Sequence, residues 1–140
     1  MPSDTLAVFD CVTLVQSAIS QAGPAVRCLE LFEQKRIKLA VSTETLAQIR
    51  EVLSRPVLRK RFPDLTEVKA QRLMVLLVNR GMLFRNVHRH YEFSRDPSDE
   101  CYLNLAMEAR ANFVVTRDRD LLDLMNWSTE EGREFQRWFR

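Results

Sequence analysis

Glycine is scarce. The 140 residues contain three of them, and none falls in a pattern that wraps backbone N–H groups around a phosphate, so a glycine-rich nucleotide loop is excluded. Cysteine is equally sparse. Cys11, Cys28 and Cys101 are odd in number and share no spacing, which fits neither a disulfide framework nor a zinc pattern. Each reads as a small core residue in a reducing compartment, and the expected location is cytoplasmic. The two histidines, His88 and His90, flank Arg89. With no third nitrogen or sulfur ligand in pattern, they read as solvated. No apolar run approaches membrane-spanning length. No basic stretch leads into an apolar one near the start, so neither a membrane partner nor a signal peptide is expected. Net charge is small too, +2 from 21 basic and 19 acidic residues, and that balance alone does not argue for nucleic-acid binding.

What is present is ordinary globular composition, 46% hydrophobic and 29% charged, in a chain long enough to bury a core without staples. No linker, repeat or low-complexity tract divides it. Residues 1–140 are expected to form a single domain, with 126–140 as a C-terminal tail or helix. The charges are unevenly placed. Arg50, Arg55, Arg59, Lys60 and Arg61 crowd one stretch, and Asp96, Asp99, Glu100, Asp118, Asp120 and Asp123 another. A basic side and an acidic pocket can hold a phosphate backbone and a metal together. From charge alone, two solvated faces are the plainer reading.

Apolar spacing supplies the elements. Residues 6–9 are a short apolar run closed by Asp10, either a buried strand or a helix fragment. Residues 13–22 read as a helix broken by Gly23-Pro24, and 25–35 as a second helix whose first turn suits Pro24. Residues 39–41 are another apolar run. Ser42 or Thr43 caps the next helix, which carries Leu46, Ile49, Val52 and Leu53 on one stripe and ends at Pro56. A basic segment runs to Pro63. Residues 65–80 read as a helix with Val68, Leu73, Leu76 and Leu77 apolar, stopped by Gly81. Then come a strand over 82–87, a polar loop over 88–98, a helix over 99–111, a strand over 113–116 and a short helix over 121–125.

Strands alternating with helices predict an α/β fold with a parallel sheet covered on both faces. In such sheets ligands bind beyond the carboxyl ends of the strands. Asp10 directly follows the first strand, Asp118 closely follows the fourth, and Asp99 opens the helix between the third and fourth. Acids gathered there repel one another unless a cation sits between them.

The stretches VFDCVTLVQSA, LAVSTETLAQIREVLSRPVLRKR, SRDPSDECYLNLAMEARANFVVT and TRDRDLL resemble PIN domains. The closer likeness is to toxins of toxin–antitoxin modules related to VapC. It covers about residues 6–122, most of the chain. The resemblance implies a three-layer α/β/α sandwich with a parallel central sheet, and hydrolysis of RNA phosphodiesters with Mg²⁺ or Mn²⁺. It also implies an antitoxin protein as partner, and a homodimer. Carried over position by position, the family's first aspartate matches Asp10, its third acidic position Asp99 and its fourth Asp118. Asp96 and Asp120 match acids that accompany these two. The chain departs from the pattern twice. Val12 stands where the family has a polar residue, and Gln48 where it has a helical glutamate. Glu44, one turn earlier on the same helix face, is the acid available to replace that glutamate.

Phosphodiester hydrolysis needs an activated water and neutralised phosphoryl charge. A divalent cation supplies both, and Mg²⁺ keeps several waters, so a few carboxylates suffice. Asp10, Asp99 and Asp118 are the expected catalytic ligands, supported by Asp96 or Asp120. Plainer roles exist for most of them: Asp99 suits a helix N-cap, Asp118 a turn and Asp120 a helix cap. Asp10 has the least structural reason to be where it is. Ser42 and Thr116 either orient a carboxylate or water or serve as local caps. Arg59, Lys60, Arg61 and Arg95 are candidates for RNA backbone contact, against a solvated face. Trp127, Phe135, Trp138 and Phe139 offer a docking surface to the core or a second subunit. The function classes left open are a ribonuclease toxin, a degenerate PIN domain that binds RNA or protein without cutting, and a flavodoxin-like binding domain. The intact Asp10, Asp99 and Asp118 favour the first, Val12 and Gln48 favour the second, and the missing phosphate loop counts against the third.

Overall fold

The computed structural model describes residues 4–116, 118–125, 130, 132 and 133, without the side chain of Asp120. The expectations for Trp127, Phe135, Trp138 and Phe139 lie outside the described residues, as does the role of the Asp120 carboxylate. The elements run β1 (Leu6–Phe9), α1 (Cys11–Ile19), α2 (Pro24–Glu33), β2 (Lys38–Ser42), α3 (Thr43–Leu53), α4 (Pro56–Arg61), α5 (Glu67–Arg80), β3 (Met82–Phe84), α6 (Glu100–Ala109), β4 (Phe113–Val115) and α7 (Arg119–Leu122). Short 3₁₀ turns cover Pro97–Asp99 and Asp123–Met125.

All strand pairs are parallel, in the order β3-β2-β1-β4. The chain steps outward from β1 to β2 to β3, then returns to lay β4 on the other side of β1. Strand order therefore reverses between β1 and β4, and the crevice above that point is where such sheets bind ligands. All four β1 residues are buried, as a strand covered on both faces requires. Helices α1, α2, α3 and α5 pack on one another, while α6 lies against β1, β2 and β4. This is the expected three-layer sandwich.

Several local expectations need correction. Helix α1 begins at Cys11, two residues before the expected start. The basic segment after Pro56 is helical: the proline sits at the first position of α4, where its missing N–H costs no bond. In α5 the buried stripe is Ala70, Leu73 and Leu77, and Val68 is 62% exposed. Strand β3 has three residues, because the chain leaves the sheet after Phe84. Gly81 does end α5, but through space and not through a left-handed turn. A Cβ there would collide with the Leu77 carbonyl oxygen and lie 2.9 Å from Val41 Cγ2.

The segment after β3 is less of a free loop than its polarity implies. Glu100, Asn104 and Glu108 recur every four residues along one face of α6. Glu108 accepts the His88 N–H at 3.0 Å, Asn104 those of His90 and Tyr91 at 2.6 and 2.8 Å, and Glu100 that of Phe93 at 2.9 Å. Helix side chains thus do for this backbone what a neighbouring strand would do. Phe93 is fully buried and joins Leu103, Leu121 and Leu124 in a second, smaller core. That core ties the segment leading to Asp96 to the helix following Asp118.

Candidate metal centre

Asp10 is the residue at which β1 becomes α1, and it is 1% exposed. Its N–H donates to the Val115 carbonyl at 3.2 Å, which extends the β1–β4 pairing one residue past the strand. Its Oδ1 accepts the Thr13 N–H at 2.9 Å and so caps α1. Its Oδ2 accepts the Thr116 hydroxyl. The idea that Asp10 lacks a structural reason is therefore corrected: it is a helix cap. Thr116 works in both directions, since its oxygen also accepts the Asp118 N–H at 2.9 Å. One hydroxyl thereby links the acid after β1 to the acid after β4.

Asp99 sits at the start of α6, but its side chain makes no cap bond. It is buried at 7% exposure and meets Asp96 and Asp118, so that one carboxylate oxygen from each lies within 4.8 Å of the others. Asp10 and Glu44 are not in that trio. Burial pushes the Asp99 carboxyl up to about 8, with help from hydrogen bonding to Asp118 and the charge of Asp96. Near neutral pH, then, the centre carries a proton in the absence of any other cation.

The turn that delivers Asp96 and Asp99 is built locally. Asp96 Oδ1 accepts the Ser98 N–H at 3.1 Å and the Ser98 hydroxyl at 2.6 Å, and the Asp99 N–H returns to the Asp96 carbonyl at 3.0 Å. Ser98 was not singled out from the sequence. The signal was present, since an aspartate two residues before a serine is a common side-chain turn.

Gln48 reaches this turn from α3. Its Nε2 donates to the Ser98 carbonyl at 3.0 Å, and its Oε1 accepts from the Cys101 thiol at 3.5 Å. A glutamate could not make the first bond, having no donor. Ser42 caps α3 through a reciprocal pair with Thr45, which is a local role. Glu44 is exposed on the first turn of α3, and its charge helps raise Cys101. Burial is the main cause that lifts Cys101 to about 12 and Cys11 to about 11, so neither supplies a thiolate near neutral pH. Val12 is 45% exposed, an apolar side chain next to the acid that caps α1.

The basic candidates are largely engaged elsewhere. Arg59 pairs with Glu67 at 2.8 Å and donates to the Leu53 carbonyl. Arg61 lies over the Phe62 ring, 5.5 Å from its centre. Arg95 pairs with Asp123 at 3.1 Å. Lys60 is exposed.

Three carboxylates with oxygen donors only, converging beyond the strand ends, form a donor set for a hard divalent cation. The family model of the PIN domain matches residues 7–120, a span that includes all of these acids. No curated protein and no solved structure matches the chain.

Proposed function

Because the chain belongs to the PIN domain family, with its nuclease-type fold, we propose that it is a metal-dependent endoribonuclease, the toxin of a toxin–antitoxin pair. The observation that carries this reading is the meeting of Asp96, Asp99 and Asp118 at the β1–β4 switch point, with Asp99 buried among them. Folding three acids together is unfavourable unless something positive completes the set. Mg²⁺ or Mn²⁺ suits it, and when bound supplies Lewis acidity and lowers the pKa of a coordinated water.

The protein's own part is positioning. Asp96, Asp99 and Asp118 would hold the cation, with Asp99 the buried member of the three. Ser98 fixes Oδ1 of Asp96, which leaves Oδ2 for the ion. Asp10 supports the centre from the β1 side, held by Thr13 and Thr116. Arg59 and Arg61 already have partners, so contact with the RNA backbone falls first to Lys60 and to residues at the mouth of the crevice. The toxin role, with an antitoxin as partner, rests on the resemblance of the DPSDE and VTRDRDLL stretches to that branch.

The test is cleavage of mixed single-stranded RNA by the full chain with Mn²⁺. Cutting is expected, and it should cease with EDTA and in Asp118→Asn. Growth arrest on expression, lost in the same variant, is the expected outcome for the toxin role. One observation favours a second reading, an RNA- or protein-binding module without catalysis: Gln48 turns its amide to the Ser98 backbone and brings no charge to the centre. Folded protein that binds Mn²⁺ and RNA yet leaves the RNA whole would establish that reading instead.

A further inference from the structure

Away from the acidic centre, the fold joins three side chains that the sequence keeps apart. His88 and His90 lie on the segment after β3, and Glu108 lies 18 residues beyond His90, in the last turn of α6. The His88 Nδ1 is 2.8 Å from Glu108 Oε1, and the His90 Nε2 is 3.4 Å from the same oxygen. One ligand atom from each of the three residues lies within 4.8 Å of the other two. The two rings meet edge-on at 65°, with centres 6.2 Å apart. Backbone bonds fix both histidines against the helix: the His88 N–H donates to Glu108, and the His90 N–H to Asn104. An ordinary histidine–carboxylate hydrogen bond needs one imidazole. Here two nitrogens converge on a single oxygen.

We propose that His88, His90 and Glu108 form a second metal site, one for a Zn²⁺-class cation and independent of the acidic centre. Two imidazole nitrogens and one carboxylate oxygen are the donors that Zn²⁺ accepts with a water in the fourth position, and Ni²⁺ and Cu²⁺ also favour imidazole. Mg²⁺ prefers oxygen throughout and belongs with the aspartates. Each neutral ring keeps its proton on the nitrogen facing away from the ion, so binding needs a tautomer choice and no net chemistry. The cation would fasten the segment after β3 to the C-terminal end of α6, whose opposite end carries Asp99. The sequence concealed the site because the third ligand is a carboxylate on another element, and not a nitrogen or sulfur nearby.

The experiment is a calorimetric titration of untagged, EDTA-stripped full-length protein with Zn²⁺, in the presence of excess Mg²⁺. One Zn²⁺ per chain is expected. Affinity should fall by about 100-fold or more in His88→Ala and in His90→Ala, at or beyond the upper end of what perturbing a metal site's surroundings costs, and should be unchanged in Asp99→Asn. Glu108→Gln keeps an acceptor for the His88 N–H and should still weaken Zn²⁺ binding. Both histidine side chains are exposed, at 78% and 38%, so these variants are expected to fold, which circular dichroism checks. Co²⁺ in place of Zn²⁺ gives an independent reading: visible absorption bands of a low-coordinate site, lost in each histidine variant. Zn²⁺ affinity unchanged in the histidine variants would assign the ion to the aspartates or cysteines and overturn the proposal. So would folded wild-type protein that takes up neither ion.

Discussion

Asp10 gives one oxygen to the Thr13 N–H and the other to the Thr116 hydroxyl, so its structural and functional roles can be separated by substitution. Asp10→Asn keeps an oxygen for the cap. It should leave stability within about 1 kcal/mol of wild type while abolishing metal-dependent cleavage. Asp10→Ala should lose cleavage and, in addition, about 1–2 kcal/mol of stability with the cap. Urea denaturation beside the RNA assay checks both, and full activity in Asp10→Asn would remove that residue from the site. The cap was hidden from sequence reading because the helix start was set at Thr13. A start at Cys11 would have placed Asp10 in a capping position at once. Asp99 yields a pH prediction. Its carboxyl is raised to about 8, chiefly by burial, from an ordinary value of 3.8. A raised pKa favours the native state fully below the ordinary value, and that contribution is lost as pH rises through 8. In EDTA the stability of wild type relative to Asp99→Asn should therefore decline between pH 4 and 8. Added Mn²⁺ should remove the decline. Melting curves of the two proteins across that range measure it, and a relative rise would contradict the account.

Among the elements, the segment from His88 to Asp99 was the least legible. Its charges resemble those of a free loop, and Glu100, Asn104 and Glu108 resemble the solvated face of a helix. Only the fold shows that the two sets satisfy each other, because a side chain bonding to backbone seven to twenty residues away leaves no local pattern. Phe93 was overlooked for the same reason. Phe93→Ala should cost about 3–5 kcal/mol, as for other buried aromatics, and should loosen both acid-bearing segments, lowering Mn²⁺ affinity as well as stability. Gln48 is the other link to this turn. Gln48→Ala should cost about 1 kcal/mol for the lost bond to Ser98 and weaken Mn²⁺ binding through the displaced Asp96–Asp99 turn. Unchanged Mn²⁺ affinity would make Gln48 a packing residue only. The strands and most helices, by contrast, were readable. Residues 6–9 and 39–41 are continuous apolar runs of the kind that fully covered parallel strands require. Helix α4 was missed because a proline was read as an ending, when it also suits a beginning.

At the scale of the molecule, the acidic residues matter through strand order. That order depends on which way each crossover turns, and residue spacing does not encode it. Apolar pattern alone placed Asp10 and Asp118 at strand ends. It could not show that β1 and β4 are neighbours, which brings Thr116 between the two aspartates. The charge segregation seen in the chain also changes meaning. Asp96, Asp99 and Asp118 do converge, whereas Arg59 is drawn into an ion pair and Arg61 into stacking. Among the described residues, no helix is long and apolar enough to cross a membrane. On the proposed function, a divalent cation takes the place of a proton among Asp96, Asp99 and Asp118. Titration with Mn²⁺ at pH 7, by calorimetry in buffers of different ionisation enthalpy, tests it most directly. One Mn²⁺ per chain is expected, with release of about one proton on binding and loss of that release in Asp99→Asn. Absence of Mn²⁺ binding, or binding with the same proton release in Asp99→Asn, would contradict it.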